Sequence, residues 1–554
     1  MPARAAREGR ALDRAYERVW FEEESARAGL PVPGSFVPQP PPDALLLMPL
    51  AGLPPRAAKT AWTLVLAAAM AAAFFVLRPL VPLPAATLAV VFLLPTASLR
   101  NALLYGQPYP LLLVCLCLSL RASLRDRPLR AGLWLAPVLG LKLYGLPLLL
   151  ALLWRRSWRA LAGALAGTLL ILALSVAVLG RPVHAAYARE VLPASLTGRV
   201  QDPYSTIWQS ATSLSYRLFQ RESDLNPEPA ADSPALARAL VVALPAAIVL
   251  AAVAGAGPAV PLARAWAIVM VAALAAAPLT SSYHFVLLIL PVALLLADPA
   301  LSWPRRALVV LAFVFATSPL PHYFARFAVG WGDLLAYPRL VAVLAILGVA
   351  LGRADRRVLL ATIPALALGA AAWVRTPAEE PWTRVEAAHG YLLADPQACP
   401  GGMSWLALDG DRLVRAGIGR PCPPRVPPPA VDARVARAWS TGDADARDDV
   451  IVFVDERGDV REQSGGLERL LLPGPARHPR LRPDGAWVAC QRWRGSWDVW
   501  AVHRASGRAL AVTRDAAGEL EPAWDAAGTG VLFASDRRRG LGSTALYRVP
   551  FAPD

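Results

Sequence analysis

The chain has 554 residues, 56% of them hydrophobic and only 18% charged, with a mean hydropathy of +0.41. Soluble domains carry about 25% charged residues, so this composition excludes a disordered chain and argues against an ordinary cytosolic enzyme. Net charge is +15, yet from Arg375 onward 24 arginines balance 24 acids, leaving 32 basic against 17 acidic residues in the first 374. Those basic residues lie in short loops between apolar runs, which fits the positive-inside bias of a membrane protein and not a nucleic-acid partner.

In chain order, the first 40 or so residues are charged and lack the apolar stretch of a signal peptide. Apolar spans of the length that crosses ~30 Å of hydrocarbon follow, at roughly 60–78, 82–98, 104–120, 131–153, 159–179, 236–255, 262–278, 283–297, 305–320, 336–351 and 357–374. RASLRDRPLR (121–130) and WRRSWR (154–159) are both strongly basic and so both belong inside. The segment between them therefore cannot cross once. Pro137, Gly140, Gly145 and Pro147 surround Lys142 there, and the prediction is a re-entrant or interrupted helix pair. Arg264, Arg305–Arg306, Arg353, Arg356 and Arg357 then fall inside. The N-terminal segment, the loop at about 180–235, the turn at Ser281–His284 and everything after Arg375 fall outside. Arg56 and Lys59 are exceptions, and an outside N-terminus suggests a missing first helix.

From about Ala430 the pattern changes to short strands and turns. HPRLRPDGAWVACQRWRGSWDVWAV (478–502) is echoed by EPAWDAAGTGVLFASDRRRGLGSTALYRV (521–549), with Pro479/Pro522 and Gly485/Gly528 in register. That spacing suits four-stranded propeller blades. A fainter third repeat surrounds DDVIVFVDERGDV (448–460), and the region has room for four units at most. The predicted architecture is thus a polytopic α-helical membrane protein of about 10–11 hydrophobic helices with an all-β, propeller-like domain. The expected divisions are 1–59, 60–374 and 375–554. The five cysteines make neither a disulfide framework nor a zinc site, though a Cys399–Cys422 bridge is open to an oxidising compartment. Only two lysines stand against 54 arginines, a composition suggesting a GC-rich bacterial genome.

Polar residues inside or at the mouth of apolar spans carry the functional expectations. A mid-span cation is costly and generally has a task, so Lys142 at its Gly/Pro break suits a phosphate-bearing ligand. Three polar and aromatic clusters share its predicted face. They are Asn101, Tyr105, Gln107 and Tyr109; then Trp208, Gln209, Ser210 and Arg217; then Tyr283 and His284. Aromatic belts alone explain some of these.

These positions resemble glycosyltransferase family 87. FVPQPPPDALLLMPLAGLPP (36–55) followed by AWTLVLAA resembles that family's proline-rich lead into a helix. Gly106–Gln107 resembles its Gly-Gln pair at a span mouth. Lys142–Leu143 stands where the family often has Lys-Pro. Trp208–Gln209–Ser210 resembles its Asn-Gln-Ser motif with the Asn lost, and Thr280–His284 its Ser/Trp/His-rich turn. The resemblance covers about residues 10–374, and the 43-residue repeats resemble TolB-like propellers.

The family resemblance implies a GT-C fold and a hexosyltransferase using a polyprenyl-phosphate sugar, most often mannose, with a lipid or glycan acceptor outside a bacterial inner membrane. It implies no metal or other cofactor. It also implies a catalytic acid in the first outer loop, for which Asp13, Glu17, Glu22, Glu23, Glu24 and Asp43 are candidates. Asp13, followed by Tyr16, best fits the family's pattern. Lys142 and Arg217 would bind phosphate, with Tyr105, Gln107, Trp208, Gln209, Tyr283 and His284 lining the substrate pocket. The rivals are a non-catalytic membrane scaffold or sensor and a transporter of lipid-linked glycans. No G-x-x-x-x-G-K-[ST] loop supports ATP-driven transport.

Overall fold

The computed structural model describes residues 1–30, 35–352, 356–376, 380, 382–409, 412–429, 431–514, 517–541 and 543–553. Arg353 and the side chains of Glu22, Glu23, Arg356 and Arg357 lie outside the described residues. The chain divides into a helical unit, Met1–Arg221 with Asn226–Thr376, and a β unit, Pro377–Asp554 with Glu222–Leu225.

The helical unit is an apolar bundle with one dominant core. Three described helices are each long and apolar enough to cross a membrane: Pro55–Leu80, Trp158–Leu179 and Pro234–Gly255. Three further pairs bend by more than 40° and bring the number of spans to six if each pair counts as one. One of them, Ala85–Leu93 with Thr96–Leu104, bends by 59° at Pro95, where the ring removes a ladder donor. Several of the predicted spans are thus realised as shorter or broken helices.

The expected interruption at Lys142 is present. Helix Pro128–Leu141 ends at Lys142, whose backbone is extended at φ −150° and ψ 130°. A single 3₁₀ turn, Leu143–Gly145, leads into helix Leu146–Trp154. Both basic loops then share one end of the bundle, because Ser123, Asp126 and Pro128 line a single cavity of about 140 Å³ together with Arg155 and Ser157. Trp154, Trp158 and Trp303 are exposed beside Arg155, Arg156, Arg159, Arg305 and Arg306. Exposed indoles among arginines mark an interfacial belt. Lys59, an exception to the charge pattern, donates to the carbonyls of Leu103 (2.9 Å) and Leu104 (2.5 Å) and caps a helix C-terminus.

The β unit contains four antiparallel sheets. The first is β2 (Leu393–Cys399), β3 (Gly402–Asp409) and β4 (Arg412–Gly419). The second is β5 (Ala444–Arg447), β6 (Val450–Val454), β7 (Val460–Ser464) and β8 (Leu467–Leu472). The third is β9 (Ala476–Leu481), β10 (Trp487–Trp493), β11 (Trp497–His503) and β12 (Ala509–Ala511). The fourth is β13 (Glu519–Trp524), β14 (Gly530–Gly540) and β15 (Ser543–Pro550), completed by β1 (Thr383–Arg384). Because β1 pairs with β15, Thr383 against Arg548, the start of the unit closes its last sheet.

This is a four-bladed propeller, and its repeat has a physical basis. Asp395, His478 and Glu521 each precede a proline, adopt positive φ (42°, 50° and 52°) and interrupt their sheet's register. Each freed amide is taken by the preceding blade. His478 N–H donates to Asp443 Oδ1 (3.0 Å), Glu521 N–H to Gln491 Oε1 (2.8 Å) and Asp395 N–H to Glu521 Oε2. The bulges thereby supply a hydrogen-bonded link between sheets. Cys399 and Cys422 form a disulfide with Cα atoms 5.6 Å apart, while Cys490 is buried.

Candidate active site

The break in the Pro128–Leu141 helix frees Lys142 to leave the bundle core, where it meets the proline-rich segment that precedes the Pro55–Leu77 helix. Lys142 Nζ lies 3.1 Å from Asp43 Oδ2, and both side chains are 10% exposed. Gln39 Oε1 accepts from the same ammonium. Asp43 sits in the first turn of the short helix Pro41–Leu47. Its second oxygen, Oδ1, is buried and has no hydrogen-bond partner among the described residues. Burial pushes the Asp43 carboxyl above its ordinary range, against the opposing pull of Lys142.

Aromatic rings surround this pair. Tyr109 packs against Tyr144 (6.1 Å between centroids), Tyr283 (5.6 Å) and His284 (4.6 Å). Tyr105, 61% exposed, packs edge-on against Tyr283 at 6.1 Å. The Asp43 charge reaches Tyr16, Tyr109 and Tyr187, and that of Lys142 reaches His284. His284 is held by its own turn: Ser281 N–H donates to Nδ1 at 2.7 Å, and the same nitrogen lies 3.0 Å from Ser281 O. Asn101 donates to Ser282 Oγ at 2.8 Å and ties the Thr96–Leu104 helix to the same turn.

Of the expected site residues, Lys142, Tyr105, Tyr283 and His284 are therefore drawn together. Gln107 is half-buried beyond Gly106, whose carbonyl accepts from Trp62 Nε1 at 2.8 Å. Trp208 is half-buried at the end of the long loop. Gln209 is buried and bonded throughout. Its Nε2 donates to the carbonyls of Thr206 (2.8 Å) and Ala336 (3.0 Å), and its Oε1 accepts from Arg339 N–H (3.0 Å). Its backbone N–H reaches Thr280 O at 2.8 Å, which links the loop to the His284 turn.

Arg217 is buried with its donors spent inside the unit. Nε donates to Asp333 Oδ1 at 2.6 Å, and the terminal nitrogens to Tyr204 O (2.8 Å) and Ala328 O (2.5 Å). Asp13 lies exposed on a turn. Its neighbour Tyr16 points inward, donating to Gln39 O at 2.8 Å and stacking on Phe36. Glu17 pairs with Arg14, and Glu24 with Arg10 and Arg27.

Sequence reasoning weighed Asp43 without preferring it, and left Gln39 and Tyr144 unmarked. One signal pointed to Asp43: it is the lone acid in a proline-rich, apolar stretch, whereas the other candidates lie in a stretch of sequence rich in arginine. Among the described residues no group of three or more His, Cys, Asp or Glu side chains is placed to hold a metal ion.

Residues 38–291, which include Gln39, Asp43, Lys142 and His284, match the model of Glycosyltransferase family 87. No curated protein matches the chain. Among solved structures, "The structure of putative TolB from Agrobacterium tumefaciens" is similar at 16% identity and a TM-score of 0.19, over 30% of this chain and 64% of that one. This chain thus covers less than two thirds of that protein's length.

Proposed function

We propose, from the match of residues 38–291 to glycosyltransferase family 87, that the chain takes a sugar from a polyprenyl-phosphate donor and passes it to a lipid or glycan acceptor. The observation that carries this reading is the Lys142–Asp43 pair with its one unpartnered carboxylate oxygen. Lys142 holds the donor phosphate by charge. The acceptor hydroxyl attacks the anomeric carbon, its proton passes to Asp43 Oδ1, and the sugar–phosphate bond breaks with phosphate leaving on Lys142. Tyr109, Tyr283 and His284 supply flat faces and a donor for the sugar. Gln209 and Arg217 hold the outer loop in place. Asp13, the first choice from the sequence, is exposed, and the base is assigned to Asp43 in its stead.

Mannose is the sugar the family resemblance favours. The site is assigned to the outer face of a bacterial inner membrane, and the Cys399–Cys422 disulfide suits an oxidising compartment.

The test is sugar transfer by purified protein in nanodiscs, with radiolabelled polyprenyl-phosphate mannose beside a nucleotide-sugar control and a membrane-lipid extract as acceptor. Donor-dependent labelling lost in both D43N and K142A is the expected result. Silence with mannose and with other polyprenyl-linked sugars would leave the helical unit as a scaffold.

A further inference from the structure

One buried cation in the β unit lacks the partner that burial demands. Arg492, on β10, is 7% exposed, and its Nε has no hydrogen-bond partner among the described residues. No ion pair joins it to a described acid. Its cross-strand neighbour is Asp498, whose Oδ2 accepts instead from Ser496 Oγ at 3.3 Å. The Arg492 guanidinium lies 4.9 Å from the centroid of the Trp500 ring, and that of Arg494 lies 5.5 Å from the same ring. Two cations thus share one indole. Burial, and then the charge of Arg494, pull the Arg492 guanidinium below its ordinary range. Attraction to a ring face offsets only part of the cost of taking a cation out of water.

The surroundings supply further unmet donors. Trp500 Nε1 is buried and without a partner among the described residues, and the exposed Arg494 carries its charge at the rim. In the β10–β11 register Trp500 stands opposite Cys490 and Asp498 opposite Arg492, so Arg492 and Trp500 share one face of the hairpin. Elsewhere in this unit the buried Arg539 and Arg480 donate to carbonyls, Arg539 to those of Gly390 and Thr544 and Arg480 to those of Gly442 and Pro479.

We propose that this end of the third sheet binds an oxyanion, phosphate or carboxylate, held by Arg492 and Arg494 with Trp500 Nε1–H as a third donor. The guanidinium fork suits both groups, and an anion there neutralises the two charges at once. The site stands apart from the transferase reading and does not depend on it.

The experiment uses the full-length protein in phosphatidylcholine nanodiscs. Tryptophan emission and melting temperature are followed as inorganic phosphate or glucuronate is added, with chloride at equal ionic strength as control. The expected result is a saturable emission change and a raised melting temperature. R492M should abolish both, and W500F should weaken binding by about tenfold, as loss of one charge-assisted donor does. Phosphatidylglycerol nanodiscs distinguish the source: a lipid headgroup gives the response with no soluble anion present, while a soluble ligand requires addition. Absence of any saturable response in the wild type, from solution or from lipid, overturns the proposal. So does unchanged affinity in W500F, which decides the matter should R492M fail to fold.

Discussion

Each unit of this protein buries a cation against carboxylates, and the two differ in what is left over. In the helical unit Lys142 meets Asp43 and Gln39, and Asp43 Oδ1 remains without a partner among the described residues. In the β unit Arg539 is fully buried. It donates from Nε to Glu222 Oε1 (3.1 Å), from its terminal nitrogens to Glu222 and to Asp224 (2.5 Å), and to the carbonyls of Gly390 (2.7 Å) and Thr544 (2.9 Å). Arg384 adds bonds to the same two acids. A saturated buried pair specifies a fold; one with an unspent oxygen retains the capacity to take a proton. The desolvation cost is similar in kind for both; Asp333, paired with Arg217, also keeps a buried oxygen without a partner among the described residues, so what sets the Lys142 pair apart is the aromatic cluster beside it.

The largest expected effects fall on the unsaturated pair. D43N and K142A should each reduce transfer by about 10²–10⁴-fold, the range for loss of a positioned acid–base group, and K142A, which strands the buried Asp43 carboxylate, should also lower the melting temperature. D13N, at an exposed turn, should leave transfer close to wild type. The reverse pattern, an inactive D13N and an active D43N, would move the base away from Lys142 and break the comparison.

At the saturated pair the loss should appear in stability. R539M strands Glu222 and Asp224 without their main donor and should cost about 3–5 kcal/mol, read as lowered resistance of the β unit to denaturant. Full stability in R539M would mean that the remaining arginine, Arg384, suffices.

Gln209 gives an intermediate case, for its amide is spent on three backbone groups. Q209A should cost about 1–3 kcal/mol through the unpaired Arg339 amide and the carbonyls it leaves. If the loop serves the site, the Michaelis constant should rise more than the turnover number falls.

The pH responses should be the smallest and opposite in sense. Burial raises the Asp43 carboxyl, so the acid limb of the activity profile should lie above the ordinary aspartate value of about 4. For Asp224, burial works against ionisation but His389, Arg539 and Arg384 outweigh it and hold the carboxyl below its ordinary range. Its contribution to stability is present above the unfolded value and is lost only as pH falls through the depressed one. Melting curves at mildly acidic pH should therefore show an intact β unit when transfer has already fallen.

Much of the architecture was legible because it follows from periodicity and charge. Uninterrupted apolar runs can only be satisfied as buried or lipid-facing helices, and two basic loops expected on the same side, which forbids a single crossing between them, pointed to the broken helix at Lys142. The Pro479/Pro522 spacing marked the propeller because each proline follows a bulge that three of the four blades share. The first sheet was missed: Asp395–Pro396 carries the same bulge, but its strands lack the aromatic pattern of the later repeats.

By itself, then, the sequence determined the two-part organisation, the helix break and the polar residues at span mouths, since each depends on local composition and near neighbours. Which acid faces Lys142 was decided only by the tertiary structure. Asp13 and Asp43 are both acids of the same segment, and their difference in burial comes from the turn that sends Tyr16 inward and from packing that brings Pro41–Leu47 to a lysine 99 residues further along the chain. Arg217 shows the same limit. A cation in an outer loop reads equally well as a phosphate ligand or as the partner of Asp333, and only the fold brings that aspartate within 2.6 Å.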